Sequence, residues 1–155
     1  LFCDDDGGIL DDVMITRTGD DAVRLVLNAV TTEADLAYLG DRLPPAVSVR
    51  PRRDLALVAL QGPESEAVLT RLGADVAGLT FLRSAAVTLS GRTVELSRSG
   101  YTGGDGFELA LPVAAAEALA EAILADPAVE PAGLAARDSL RLEADRKSTR
   151  LNSSH

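Results

Sequence analysis

The sequence predicts an α+β fold built on a largely antiparallel sheet, with hairpins and packed helices. Three observations carry that expectation. Apolar and β-branched runs come in pairs across short turns, helical stretches fall singly between the pairs, and the strict strand–helix alternation of a parallel sheet is missing. A chain of 155 residues with 46% hydrophobic content is long and apolar enough to bury one core, so it is one domain or one piece of a larger one. No internal repeat appears.

Residues Ile9 to Thr18 and Ala22 to Asn28 read as two strands closed by Gly19-Asp20-Asp21. A three-residue loop makes paired positions sum to 40, which sets Asn28 across from Asp12. Thr31 or Thr32 can start a helix that runs to about Leu43, where Pro44-Pro45 ends it. Val47 to Arg50 and Asp54 to Leu60 read as strands. After the turn Gln61-Gly62-Pro63, a helix with Pro63 at its first position runs to Gly73. A second hairpin joins Ala85–Leu89 to Thr93–Arg98 around Ser90-Gly91-Arg92. The glycine-rich stretch Gly100–Gly106 leads into a strand over Phe107–Leu111. Helices follow from about Val113 to Ala125 and from Gly133 to Ala144.

Charge and composition exclude several functions. Asp plus Glu number 24 against 15 Lys plus Arg, and the net −9 repels phosphate backbones and anionic lipid. Nucleic acid and membrane are therefore not expected partners. No apolar run approaches the roughly 18 residues that span a bilayer, so a soluble chain is expected. One cysteine, Cys3, and one histidine, His155, supply neither an intrachain disulfide nor a zinc set, and no metal is expected. Triads that need an internal histidine are excluded too, unless another chain supplies one. What remains for chemistry is carboxylate, arginine, tyrosine and backbone.

Asp11 and Asp12 interrupt an apolar strand, where an ionised carboxylate costs several kcal/mol unless paired or wet. Strand alternation puts Asp12 on a face with Leu10 and Met14, and Asp11 on the other with Ile9 and Val13, so the two cannot act as a dyad. Asp12 and Asn28 can converge; equally, one Asp can be a bulge and Asn28 a strand end. The loop Ser99–Gly106 can admit a ligand close to backbone or be a plain turn, and it lacks the order of either nucleotide-binding glycine motif. Glu108 can be a site acid or an exposed alternating position. Arg137-Asp138 can cap a helix or clamp an anion. The triple Asp4-Asp5-Asp6 lacks calcium-loop spacing and reads as a solvated turn, and Arg50, Arg52 and Arg53 as a solvated face.

Taken in order, Gly7-Gly8-Ile9-Leu10-Asp11-Asp12, Leu60-Gln61-Gly62-Pro63, Ser99-Gly100-Tyr101-Thr102-Gly103 with Asp105-Gly106-Phe107-Glu108, and Pro131 through Ala144 resemble the aminomethyltransferase (T protein) family of the glycine cleavage system. The motifs span nearly all of residues 1–144. One position departs from the family pattern, Gly104, where glutamate is usual. The resemblance implies a folate-binding fold and the transfer of a methylene group from an aminomethyl-lipoyl carrier (H) protein to tetrahydrofolate, with release of ammonia. It also implies that Asp12 is the catalytic acid and that Asn28, Tyr101, Glu108 and Arg137 contact folate. The expected setting is a monomer in the cytoplasm, or in the mitochondrial matrix of a eukaryote. The alternatives are the folate-binding domain of a sarcosine- or dimethylglycine-type oxidase and a binding-only fragment. A related accessory branch carries a cysteine motif that this sequence lacks.

The two ends shape a further expectation. The first residues lack an initiator Met, and the family continues into a C-terminal domain beyond Ala144. Residues 1–145 are therefore expected to be a partial folate-binding region, inactive alone. Beyond Asp145 lie three of the 15 basic residues and none of the 24 acids, and residues 146–155 are expected to be a non-native, flexible tail.

Overall fold

The computed structural model describes residues 1–152, with side chains through Ala144. The chain divides into two compact units, Leu1–Arg52 and Arg53–His155.

In the first unit, β1 (Phe2–Cys3) and β2 (Ile9–Asp11) pair antiparallel across the acidic turn. Asp4 builds that turn by accepting the N–H groups of Asp6 at 3.1 Å and Gly8 at 2.6 Å on its Oδ1, so the acidic triple is a structural turn. A second hairpin joins β3 (Met14–Arg17) to β4 (Val23–Val26). Its register runs from Met14 opposite Val26 to Arg17 opposite Val23, the expected sum of 40, and the Thr18 N–H reaches the Ala22 carbonyl at 3.0 Å. The helix α1 (Thr32–Arg42) follows. Tyr38 on α1 stacks on Phe2 with ring centroids 4.8 Å apart and donates its hydroxyl to the Cys3 carbonyl at 2.9 Å, pinning the helix to β1.

Two expectations are corrected here. The single strand over Ile9–Thr18 is broken into β2 and β3, because side chains rather than a neighbouring strand take the Asp12 backbone groups. Val47–Arg50 forms no strand: it lies between Pro45 and Pro51, and Val47 and Val49 stay exposed.

The second unit carries a four-stranded antiparallel sheet in the order β5-β8-β7-β6, made of β5 (Leu55–Gln61), β6 (Ser84–Leu89), β7 (Arg92–Ser97) and β8 (Gly106–Pro112). The sheet packs with α2 (Ser65–Arg71) and α3 (Val113–Leu124) over a core that includes Leu69, Leu96, Phe107 and Leu109, each 0% exposed. Their burial follows the strand period, since Phe107, Leu109 and Leu111 share one face of β8. The helix α2 begins at Ser65 rather than Pro63, with Glu64 at its N-cap.

The last helix, α4 (Leu134–Asn152), runs past the expected end at Ala144, since no Gly or Pro stands in its way. The side chains of the expected tail, 146–155, and residues 153–155 altogether lie outside the described residues. No helix among the described residues is long and apolar enough to cross a membrane.

Candidate functional site

The first unit gathers its polar groups around Asp11, which is 9% exposed, whereas Asp12 is exposed. Asp11 Oδ1 accepts the Asn28 carboxamide at 2.7 Å and the Asp12 N–H at 2.8 Å. Its Oδ2 accepts the Thr31 hydroxyl at 2.5 Å. Asn28 also donates to the Asp12 carbonyl at 3.0 Å. The expected convergence of Asn28 with the Asp12 side chain is thus corrected. The register is as expected, but past β3 the chain departs from the ladder, so Asn28 meets the Asp11 carboxylate and only the backbone of Asp12.

Asp35 on α1 stands 3% exposed beside Asp11. Burial, then Asp11, push the Asp35 carboxyl up, whereas the Thr31 hydroxyl, with Asn28 and the Asp12 N–H, holds Asp11 below the ordinary carboxylate value. Asp35 Oδ2 has no hydrogen-bond partner among the described residues.

In the second unit Glu108 is 9% exposed, which removes the reading of an exposed alternating position. Sheet pairing places small residues on both sides of it, Ala59 on β5 and Ser97 on β7. Ser99 donates to Glu108 Oε2 at 2.6 Å, and the Ser97 and Ser99 hydroxyls lie 3.0 Å apart. Gln61, at the end of β5, ties the loop to the sheet by donating to the Ser99 carbonyl at 3.0 Å and the Phe107 carbonyl at 3.2 Å. A Cβ at Gly100 or Gly106 would overlap the Gln61 carboxamide, which would have to leave its place between the loop and the sheet.

Tyr101 is 42% exposed on that loop, and the Arg137 guanidinium of α4 lies over its ring at 4.8 Å from the centroid. Arg137 approaches Asp138 only to 3.8 Å, and Asp138 bonds instead to Arg141 at 2.9 Å, so Arg137 and Asp138 do not form a close pair. The base of the loop is clasped by Arg98, which donates to both Asp105 oxygens, to Glu66 at 2.8 Å and to the Leu79 carbonyl at 2.9 Å. Gly104, the departure from the family pattern, is exposed. Among the described residues no group of three or more His, Cys, Asp or Glu side chains could hold a metal ion.

Sequence reasoning set Tyr101 and Arg137 apart as separate contacts, and the fold brings them together. It missed Asp35 and Ser97, gave Ser99 only a place in the loop, and gave Thr31 only a helix-start role. A signal existed for one of them: Asp35 lies four residues after Thr31, on the same helix face.

The antiparallel α+β chain thus buries Asp11 under hydroxyl and amide donors and Glu108 beside the Ser99 hydroxyl. The model for the GCVT N-terminal domain matches residues 1–150, and the chain belongs to that family. Among curated relatives, the human mitochondrial aminomethyltransferase is 44% identical over 93% of this chain and 38% of its own length. The Stenotrophomonas maltophilia (strain R551-3) aminomethyltransferase is 46% identical over 89% of this chain and 39% of its own. Among solved structures, the glycine cleavage system aminomethyltransferase T from Bartonella henselae matches with a TM-score of 0.80 and 43% identity, over 92% of this chain and 39% of that one. The chain thus spans about two fifths of the length of the relatives it matches.

Proposed function

We propose that this chain is the folate-binding region of an aminomethyltransferase of glycine cleavage. Its reaction passes a methylene group from the aminomethyl-lipoyl arm of a carrier (H) protein to tetrahydrofolate and releases ammonia. The observation that carries the reading is the buried Glu108 carboxylate, fixed by Ser99 on one oxygen, in a chain of the GCVT N-terminal domain family. A buried carboxylate with one oxygen committed keeps the other as an acceptor for the donor edge of a pterin.

Tetrahydrofolate, when bound, supplies the one-carbon acceptor. The residues of this chain would do the rest. Glu108 binds the pterin edge, and Tyr101 offers a ring face for stacking. Arg137, which already stacks on that ring, carries the positive charge that would suit a folate carboxylate. Asp12, exposed and held by its backbone, is the acid that orients the acceptor amine and stabilises cationic character as ammonia departs. Asn28 steadies the turn that presents it. The protein acts as a monomer in the cytoplasm of a bacterium or the mitochondrial matrix of a eukaryote.

Calorimetric titration of the 155-residue chain with tetrahydrofolate tests the reading. Saturable binding is expected, weakened by Glu108→Gln by a factor of about 5 to 100, as for a lost charged hydrogen bond. Absence of binding, or affinity indifferent to Glu108→Gln, refutes it.

A further inference from the structure

We infer that Asp11 is a positioning residue: its carboxylate, together with the Asn28 carboxamide, clamps the Asp12 backbone and so fixes the direction in which the Asp12 side chain leaves the chain. The inference rests on the reading of Asp12 as the catalytic acid given above, and it adds a role for a different residue.

The geometry is local and closed. Asp12 sits in the two-residue gap between β2 and β3, where no strand satisfies its backbone. Its N–H donates to Asp11 Oδ1 at 2.8 Å, and its carbonyl accepts the Asn28 amide at 3.0 Å. Asn28 donates to the same Asp11 oxygen at 2.7 Å, so one carboxylate oxygen and one carboxamide hold both backbone groups of one residue. The second oxygen, Oδ2, is anchored by Thr31 at 2.5 Å. Asp11 is buried against Asp35 and the start of α1, so the clamp is tied to a fixed element, and Asp12 itself remains exposed. An exposed acid on an unpaired turn would otherwise sample many directions, and a site acid is useful only within hydrogen-bond reach of its target. Acids adjacent in sequence thus divide the work, one buried to hold and one exposed to act.

The test is NMR on the isotopically labelled 155-residue chain. In the unsubstituted protein, a scalar coupling across the hydrogen bond from the Asp12 amide nitrogen to the Asp11 carboxyl carbon is expected; its absence overturns the clamp. Asp11→Ala should speed hydrogen exchange at the Asp12 amide tenfold or more. Over the same change, the Thr18 and Asp35 amides, which bond to Ala22 and Thr31 carbonyls, should stay within twofold. Asp11→Asn, which keeps an oxygen acceptor, should restore the Asp12 rate to within about threefold of the unsubstituted chain. Thr31→Val, which takes the hydroxyl from Oδ2 and from the Asn28 carbonyl 3.3 Å away but leaves Oδ1 and the Asn28 carboxamide in place, should leave it within twofold.

An Asp12 rate indifferent to Asp11→Ala, or one that rises only in step with Thr18 and Asp35, refutes a positioning role. If Asp11→Ala fails to fold, the coupling and the Asp11→Asn and Thr31→Val rates decide. Adding tetrahydrofolate to the same samples separates the two claims. A chain that shows the clamp but no folate-dependent shift refutes the folate reading and leaves the clamp standing.

Discussion

The Arg137 guanidinium stacks on the Tyr101 ring, 4.8 Å from its centroid, so the glycine-rich loop and α4 are joined through two side chains that both belong to the candidate folate contacts. Both partners are about half exposed, and a cation–π contact of that kind contributes about 0.5–1 kcal/mol. Arg137→Lys keeps the charge but loses the planar stack. We expect it to lower stability by less than about 1 kcal/mol and to shift the Tyr101 ring-proton resonances, which two-dimensional NMR would read. Ring resonances identical in Arg137→Lys and the unsubstituted chain would show the stack to be absent in solution.

Asp12 and Glu108 should give opposite phenotypes in a catalytically active aminomethyltransferase that carries this sequence. Asp12→Asn keeps size and some hydrogen bonding but removes the charge, so turnover should fall by about 100-fold or more with folate affinity little changed. Ammonia release from the aminomethyl carrier, measured beside tetrahydrofolate binding, checks this. Near-normal release would remove Asp12 from the chemistry.

Asp35 should make stability fall as pH rises. Its carboxyl is raised in the fold above the ordinary 3.8, first by burial and then by Asp11. The folded state therefore favours the protonated form, a contribution fully present below that ordinary value and lost as pH climbs through the raised one. Asp35→Asn, which cannot ionise, should raise Tm at pH 7 and leave it nearly unchanged below pH 3.8. Thermal melts across that range decide it, and a Tm lowered at pH 7 would contradict the expectation.

Arg98 should show the reverse dependence through Asp105. The Arg98 hydrogen bonds hold the Asp105 carboxyl below its ordinary value, so the pair stabilises the fold above pH 3.8 and loses that contribution as pH falls through the lowered value. The Arg98 side chain is 19% exposed, and its removal also strips the Leu79 carbonyl and Glu66 of a donor. Because Asp105 is 41% exposed, the cost is discounted from that of a fully buried pair. Arg98→Ala should cost about 2–3 kcal/mol at pH 7, a Tm loss of roughly 4–12 °C, and less in acid. A deficit that grows toward acid pH would be inconsistent with this pairing.

Much of the fold was legible because local signals and burial agreed. The β6–β7 hairpin follows from Ser90-Gly91, and the β3–β4 register from a three-residue loop at Gly19. Val47–Arg50 misled because an apolar, β-branched run says nothing about whether a partner strand exists. At the site, chain-neighbour reasoning could mark Asp11 and Asp12 as unusual but could not tell which is buried. That depended on Thr31 and Asn28, 20 and 17 residues away, reaching Asp11. Likewise Glu108 read as ambiguous until β5 and β7 put Ala59 and Ser97 at its sides.

The pair of serines beside Glu108 has a fixed polarity. A hydroxyl carries a single hydrogen, and Ser99 spends its own on Glu108 Oε2. The 3.0 Å contact between the two hydroxyls can then run only one way, with Ser97 as donor and Ser99 as acceptor. Hydrogens thus point in sequence from β7 toward the acid, a short polarised wire that strengthens as the carboxylate charge draws on it.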